Sequence, residues 1–169
     1  MKLKAIPSML SMVPSVFRGI DLDDLEKIKA ITRDAYPKVP QVRTDQLAFW
    51  MEDMGAPPLL VDVRPSVEFD VSHLQGAVNL PSVEAIARRL EQQKPGRTVL
   101  CCSVGFRSSR IASLLADQGL DGIMNLEGSI FQWVNEGRAI FRGHERVHQV
   151  HPYSPRWAGL LRPGLGSDC

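Results

Sequence analysis

Four short apolar runs, LLVDV (59–63), AVNL (77–80), TVLCC (98–102) and GIMNL (122–126), punctuate the middle of the chain and are separated by stretches with helical periodicity. Strands apolar along their whole length are buried on both faces, and strands joined through helices run parallel. The alternation therefore predicts an α/β fold with a parallel sheet covered by helices on both sides. The intervening helices are expected at Val83–Gln93, Ser108–Gln118 and Ser129–Asn135, with another started by Thr44 as N-cap and running through Leu47, Trp50 and Met51. In such a sheet, ligands bind beyond the carboxyl ends of the strands, where the chain turns into a helix.

The flanks have a different character. Near the start, DLDDLEKIKAIT places Leu22, Leu25, Ile28 and Ile31 at three-residue steps, with acids first and lysines later. This predicts a short amphipathic helix whose charges suit its dipole. The apolar stretch Ala5 to Phe17 follows Lys2 and Lys4 as a signal sequence would, but Pro7 and Pro14 interrupt it and Ser8, Ser11 and Ser15 dilute it. It is too short and broken to span a bilayer, so a loosely packed arm is expected, with membrane association of residues 1–20 the lesser alternative. From Gly137 onward there are five Arg, three Pro, five Gly and no Lys, which suits irregular chain wrapped over a surface. Tyr153 and Trp157 are its expected anchors.

A net charge of +1 averages three unlike segments: residues 1–40 sum to +2, 41–136 to −4 and 137–169 to +3. None is charged strongly enough to indicate nucleic acid as a partner, so a small molecule or a protein is expected. The three cysteines are an odd number, and Cys101 and Cys102 are adjacent. Neighbours in sequence bridge only through a strained ring, so the thiols are expected to stay reduced, as in the cytoplasm.

The segment CCSVGFRSS lies at the end of one predicted strand and leads into a helix. A cysteine heading such a loop has its thiolate favoured by the helix N-terminus, by converging amides and, here, by Arg107. Cys102 holds that position. Strand alternation turns Cys101 the opposite way, into the core as a small hydrophobe.

These residues resemble the signatures of rhodanese-type sulfurtransferases. LLVDVRPSVEFDVSHLQGAVNLP resembles their first signature, CCSVGFRS their Cys-x-x-Gly-x-Arg-Ser active-site loop beginning at Cys102, and NLEGSIFQWVNEG their closing signature, with Gly128 at the turn and Trp133 on the last helix. The resemblance spans about Gln41 to Phe141, so the chain is read as an N-terminal arm (1–40), a rhodanese-like domain (41–141) and a basic tail (142–169). It implies a rhodanese fold with a five-stranded parallel sheet. It also implies a persulfide mechanism in which Cys102 takes sulfur from an anionic donor such as thiosulfate and passes it to a thiol, a protein acceptor or cyanide. Ser103, Val104, Gly105, Phe106, Arg107 and Ser108 then form the substrate-binding loop, Gly105 supplying the backbone freedom for its curl, and no cofactor is required. Of the other signature positions, Arg64 is expected to pair with Glu68 and His73 to close the next turn with Gly76. Asp62 is expected to be scaffold.

Two other functions share these residues. Counting from Cys101, the Cys-x5-Arg spacing to Arg107 is that of cysteine phosphatases, but the loop from Cys102 to Arg107 is short for a phosphate and suits one sulfur atom. A non-catalytic rhodanese module that docks a partner is the third reading. Because Ser103, Val104 and Phe106 are uncharged, attraction for thiosulfate is expected to be modest and turnover on it slow. Finally, His144, His148 and His151 would share a face if helical, a spacing able to bind zinc or copper, and Cys169 ends the chain. The Pro- and Gly-rich surroundings favour a wrapping segment without metal.

Overall fold

In the computed structural model, residues 15–17, 19, 24–52 and 55–168 are described. Five strands, β1 (Gln41–Val42), β2 (Leu59–Asp62), β3 (Val78–Asn79), β4 (Thr98–Cys101) and β5 (Ile123–Leu126), form one sheet. Their order is β1-β5-β4-β2-β3, and every pairing is parallel. Periodicity alone finds four of these strands. It misses β1 because two residues, one of them glutamine, are too few to show a pattern.

Helices cover both faces, as the apolar strands require. On one face, α2 (Thr44–Glu52) and α6 (Ser129–Asn135) join a core that includes Leu47, Leu60, Val99, Cys101, Leu126 and Phe131. On the other, α4 (Val83–Gln93) and α5 (Phe106–Ala116) enclose Val61, Ile86, Leu100, Cys102 and Leu115. Adjacent residues of β4 thus enter opposite cores, as the two-residue period of a strand dictates. The short helix α3 (Ser66–Phe69) follows β2.

Most helix boundaries fall where the caps put them. Ser82 caps α4, its side chain accepting from the Ala85 amide at 3.2 Å. The first helix, α1, runs from Leu25 to Ala35 with Asp24 as N-cap, accepting from the Glu26 amide at 2.8 Å. The expected Leu22 contribution lies outside the described residues. Thr44 is not the N-cap of α2. It is the first helical residue, the Leu47 amide bonds to the Arg43 carbonyl, and the Thr44 hydroxyl donates instead to the Glu136 carboxylate at 2.7 Å. α5 starts two residues earlier than expected because Gly105, at φ +98°, reverses the chain early enough for Phe106 to begin the helix.

The described parts of both flanks lie against this domain. Phe17, in a 3₁₀ turn at Ser15–Phe17, is completely buried, with its ring edge-on to Phe106 at 4.8 Å and to Trp157 at 5.3 Å. The tail contributes a hairpin of β6 (Ile140–Arg142) and β7 (Glu145–Val147), then the single turn α7 (Pro155–Ala158). His73 and Phe141 exchange backbone hydrogen bonds of 2.8 Å, which fastens the hairpin to the turn before β3. The remainder of the tail is irregular. Among the described residues no helix is long and apolar enough to cross a membrane; residues 1–14, which carry most of the N-terminal apolar stretch, lie outside them.

Candidate active site

The strand order creates the site. The chain moves outward from β2 to β3, then returns to lay β4 on the other side of β2, so connections leave β2 and β4 in opposite directions. Such a switch point opens a crevice beyond the carboxyl ends of the two strands. Asp62 pairs with Cys101 in register there, and the Val63 amide bonds to the Cys101 carbonyl at 3.0 Å. The loops that follow, carrying Arg64 and Glu68 from β2 and Cys102 to Arg107 from β4, therefore lie side by side.

The loop after β4 is held from below by the first turn of α6. The Ser129 hydroxyl accepts from the Cys102 amide at 3.0 Å and donates to the Leu126 carbonyl. The Ile130 and Phe131 amides bond to the carbonyls of Cys102 and Ser103 at 3.2 and 3.0 Å. Gly128 makes this approach possible: it sits at φ +68°, and a Cβ there would lie 2.6 Å from the Gln132 Cβ. With its backbone fixed, Cys102 presents a sulfur that receives the Gly105 N–H at 3.2 Å.

Ser108 adds a second contact to that sulfur, its Oγ standing 3.3 Å from Cys102 Sγ and 2.5 Å from Asn125 Oδ1. One hydroxyl proton cannot serve both acceptors. With Cys102 as a thiol, the S–H donates to Ser108, whose proton goes to Asn125. With Cys102 as a thiolate, Ser108 can turn its proton toward sulfur. Asn125 is itself oriented by Gln41, its Nδ2 donating to Gln41 Oε1 at 2.6 Å.

Cys101 has none of this environment. It is fully buried in the opposite core, and burial, reinforced by the nearby Asp62 charge, pushes its thiol well above the usual range. The Cys-x5-Arg reading that begins at Cys101 therefore has its thiol on the wrong side of the sheet.

The charged residues pair differently from the sequence expectation. Arg64, with no exposed surface, closes back on Asp62 at 2.6 Å and donates to the Ser72 carbonyl at 2.7 Å, which fastens the loop after β2. It does not pair with Glu68. Glu68 instead crosses to the other loop, where both terminal nitrogens of Arg107 reach its two oxygens at 2.7 Å. The registered ends of β2 and β4 make the two loops neighbours, whereas Arg64 is close enough in sequence to fold back on its own strand. Burial raises the Glu68 carboxyl, but the Arg107 hydrogen bonds, with Arg64 and His151 nearby, outweigh it and leave it below its ordinary value. For Arg107, burial opposes the charge, and Glu68 with Cys102 overcomes that and raises it. Arg107 also bonds to the Ser103 hydroxyl at 2.8 Å and stacks on the Tyr153 ring at 4.7 Å.

A small pocket adjoins Cys102, which is itself only 1% exposed. Its floor is the loop, including Ser103, Val104, Phe106 and Arg107, and its outer wall is Phe17, Tyr153 and Trp157 from the two flanks. Tyr153 and Trp157 thus act as anchors. Sequence reasoning missed Ser129, Asn125 and Phe17, and gave Glu68 the wrong partner; the clearest available signal was Asn125, a polar residue inside an apolar run. The three tail histidines do not share a face, because the hairpin places His144 in its turn and His148 beyond β7, both exposed, while His151 approaches Glu68. Among the described residues no His, Cys, Asp or Glu group is arranged to hold a metal. Cys169 lies outside them.

A switch-point crevice with a cysteine at its loop-to-helix turn defines an α/β protein whose candidate site lies at the carboxyl ends of its strands. The chain belongs to the rhodanese-like domain family, whose model matches residues 45–136, more than half its length. It is 35% identical over 79 residues to the uncharacterised protein slr1261 of Synechocystis, covering 47% of this chain and 44% of that one. It is 29% identical over 131 residues to a probable adenylyltransferase/sulfurtransferase, MoeZ, of Mycobacterium tuberculosis, covering 73% of this chain and 32% of that protein. The chain thus spans less than half the length of these relatives. Among solved structures, thiosulfate sulfurtransferase of Pseudomonas aeruginosa shares the fold, with TM-score 0.59 and 19% identity over 76% of this chain and 25% of that one.

Proposed function

We propose that the protein is a sulfurtransferase that carries sulfane sulfur as a persulfide on Cys102. The observation that carries this reading is the setting of one sulfur: Cys102 is among the residues lining a pocket, and its Sγ receives the Gly105 amide and has a hydroxyl at 3.3 Å able to donate to it. The Gly105 amide and the Ser108 hydroxyl are both placed to donate to a sulfur anion at this position. The Cys102 thiolate attacks the outer sulfur of a donor such as thiosulfate. A new S–S bond forms, the donor's S–S bond breaks, and sulfite leaves with the electron pair. An acceptor thiolate then attacks the terminal sulfur and returns the electron pair to Cys102 Sγ, so each turnover is redox-balanced and needs no cofactor. The loop residues Ser103 to Ser108 follow Cys102 directly, and the six-residue loop from Cys102 to Arg107 is short for a phosphate and suits one sulfur atom.

The decisive experiment is to incubate the reduced protein with thiosulfate and weigh it. The expected result is a gain of one sulfur that cyanide removes, retained in Cys101→Ser and absent in Cys102→Ser. An unchanged mass together with hydrolysis of an aryl phosphate would transfer the assignment to a phosphatase.

A further inference from the structure

We propose that Asn125 is a positioning residue that withholds the Ser108 proton from Cys102 and so sets the pH at which this sulfur ionises. Its part in transfer rests on the Cys102 persulfide chemistry proposed above. Three side chains form a hydrogen-bond chain with a fixed direction, which starts at the Val39 carbonyl, a backbone acceptor that cannot exchange roles. Gln41 Nε2 donates to that carbonyl at 3.2 Å and lies 3.4 Å from the Ser109 hydroxyl. The Gln41 amide is thereby turned so that Oε1 faces Asn125, whose Nδ2 donates to it at 2.6 Å. With its nitrogen committed there, Asn125 presents Oδ1 to Ser108, 2.5 Å from the hydroxyl oxygen. A carbonyl oxygen only accepts, so it takes the hydroxyl proton.

Asn125 and Ser108 have no exposed surface, so bulk water does not compete for these groups. Cys102 Sγ does compete, 3.3 Å from the same hydroxyl. A neutral sulfur is a weak acceptor and loses to the amide oxygen, whereas an anionic sulfur is a much stronger one. For a Cys102 thiolate to gain the Ser108 proton, Asn125 Oδ1 must give it up, and a buried acceptor deprived of its donor is costly. An apolar side chain at position 125 removes that cost and leaves the hydroxyl free for sulfur. The other ionisable groups acting on Cys102 lie elsewhere: Arg107 of α5, with Glu68 of α3 bonded to it, Tyr153 of the tail and Cys101 of β4. Substitution at 125 leaves them in place.

In the transfer step the bridging Sγ of the persulfide is uncharged, and Asn125 keeps the proton. As the acceptor thiolate bonds to the outer sulfur, the bond from that sulfur to Sγ breaks and Sγ takes the electron pair. Ser108 then turns its O–H from Asn125 to the new anion by rotation about its C–O bond. No proton leaves the hydroxyl, and no oxidant or reductant is consumed.

Ultraviolet thiolate absorbance, titrated in the full chain with Cys102→Ser as blank, reads the ionisation without a probe having to enter the pocket. Asn125→Leu should move the midpoint down by about one pH unit, and the pH profile of sulfur loading from thiosulfate should move with it. In a Ser108→Ala background the same substitution should move the midpoint by less than about a third as much. Gln41→Met, on the edge strand β1, frees the Asn125 amide to turn and should give a smaller fall with the same dependence on Ser108. It carries the test if the Asn125 variant does not fold. An unmoved midpoint in folded Asn125→Leu, or an equal fall with and without Ser108, would overturn the proposal. A lowered midpoint with an unmoved loading profile would overturn the role in transfer. Failure of the wild type to load sulfur at any pH would overturn the sulfurtransferase reading and the link to transfer, and is told apart by a titration that needs no donor.

Discussion

Gly105 is the residue on which the curl of the loop most depends, and replacing it with alanine separates two physical costs. At φ +98° an alanine is strained, and its Cβ would lie 3.1 Å from Asn125 Nδ2 and 3.3 Å from the Leu126 carbonyl oxygen. Gly119 provides the control: its φ is +83°, but an added Cβ there meets nothing within 4 Å. The conformational cost at either position is about 1–2 kcal/mol, partly offset by about 0.4–1 kcal/mol from restricting the unfolded chain. Gly119→Ala should therefore destabilise by about 1.6 kcal/mol or less. At Gly105 the crowding adds about 1–3 kcal/mol, because one neighbour is backbone and the other is fixed by its bond to Gln41. The total is about 1–4.6 kcal/mol, or a fall in Tm of about 2–18 °C for a chain of this size, against about 6 °C or less for the control. Urea unfolding gives the two stabilities, and the rate of sulfur loading from thiosulfate reports the loop. Gly105→Ala should lose stability and loading together, whereas Gly119→Ala should load normally. A Gly105→Ala protein no less stable than the control, with an unchanged loading rate, would refute the reasoning.

Two further perturbations probe the surroundings. Phe17→Ala removes a fully buried ring held between Phe106 and Trp157, and is expected to cost about 3–5 kcal/mol and to speed alkylation of Cys102 by a bulky maleimide; unchanged urea midpoint and labelling rate would show that the arm does not close the pocket. Because the Glu68 carboxyl is held below its ordinary value in the folded protein, its contribution to stability is present above the unfolded carboxylate range and is lost as pH falls through the lower folded value. Urea midpoints measured down through that acid range should fall more steeply for the wild type than for Glu68→Gln, and parallel curves would count against the pairing.

The parts of the fold legible in the sequence are those set by local physics. β4 is an uninterrupted apolar run, and α4 begins immediately after the Ser82 cap, so period and capping locate both. The opposed directions of Cys101 and Cys102 follow from strand geometry, which is why the pocket cysteine could be chosen before any contact was known. What was not legible depends on which strands become neighbours. β1 acquires its strand character only by pairing with β5, Glu68 finds Arg107 only because β2 and β4 are adjacent, and Phe17 finds Phe106 only once the N-terminal segment crosses the domain. Arg64 illustrates the limit most clearly. Asp62 and Glu68 are both close in sequence, and only the three-dimensional course of the loops decides between them.

The uncharged loop and the two flanks are best understood as one solution to a single problem. A loop of charged residues can face water directly. The segment Ser103–Phe106 cannot, since Val104 and Phe106 are 4% and 7% exposed in the folded chain and would otherwise present an apolar patch beside Cys102. Phe17 and Trp157 cover that patch from opposite ends of the sequence, and Arg156 joins them by donating to the Phe17 carbonyl at 3.0 Å. Tyr153 completes the wall by stacking on Arg107, which Glu68 has already neutralised. The aromatic cover therefore does more than stabilise the domain. The rings that bury the loop are also residues that line the pocket beside Cys102.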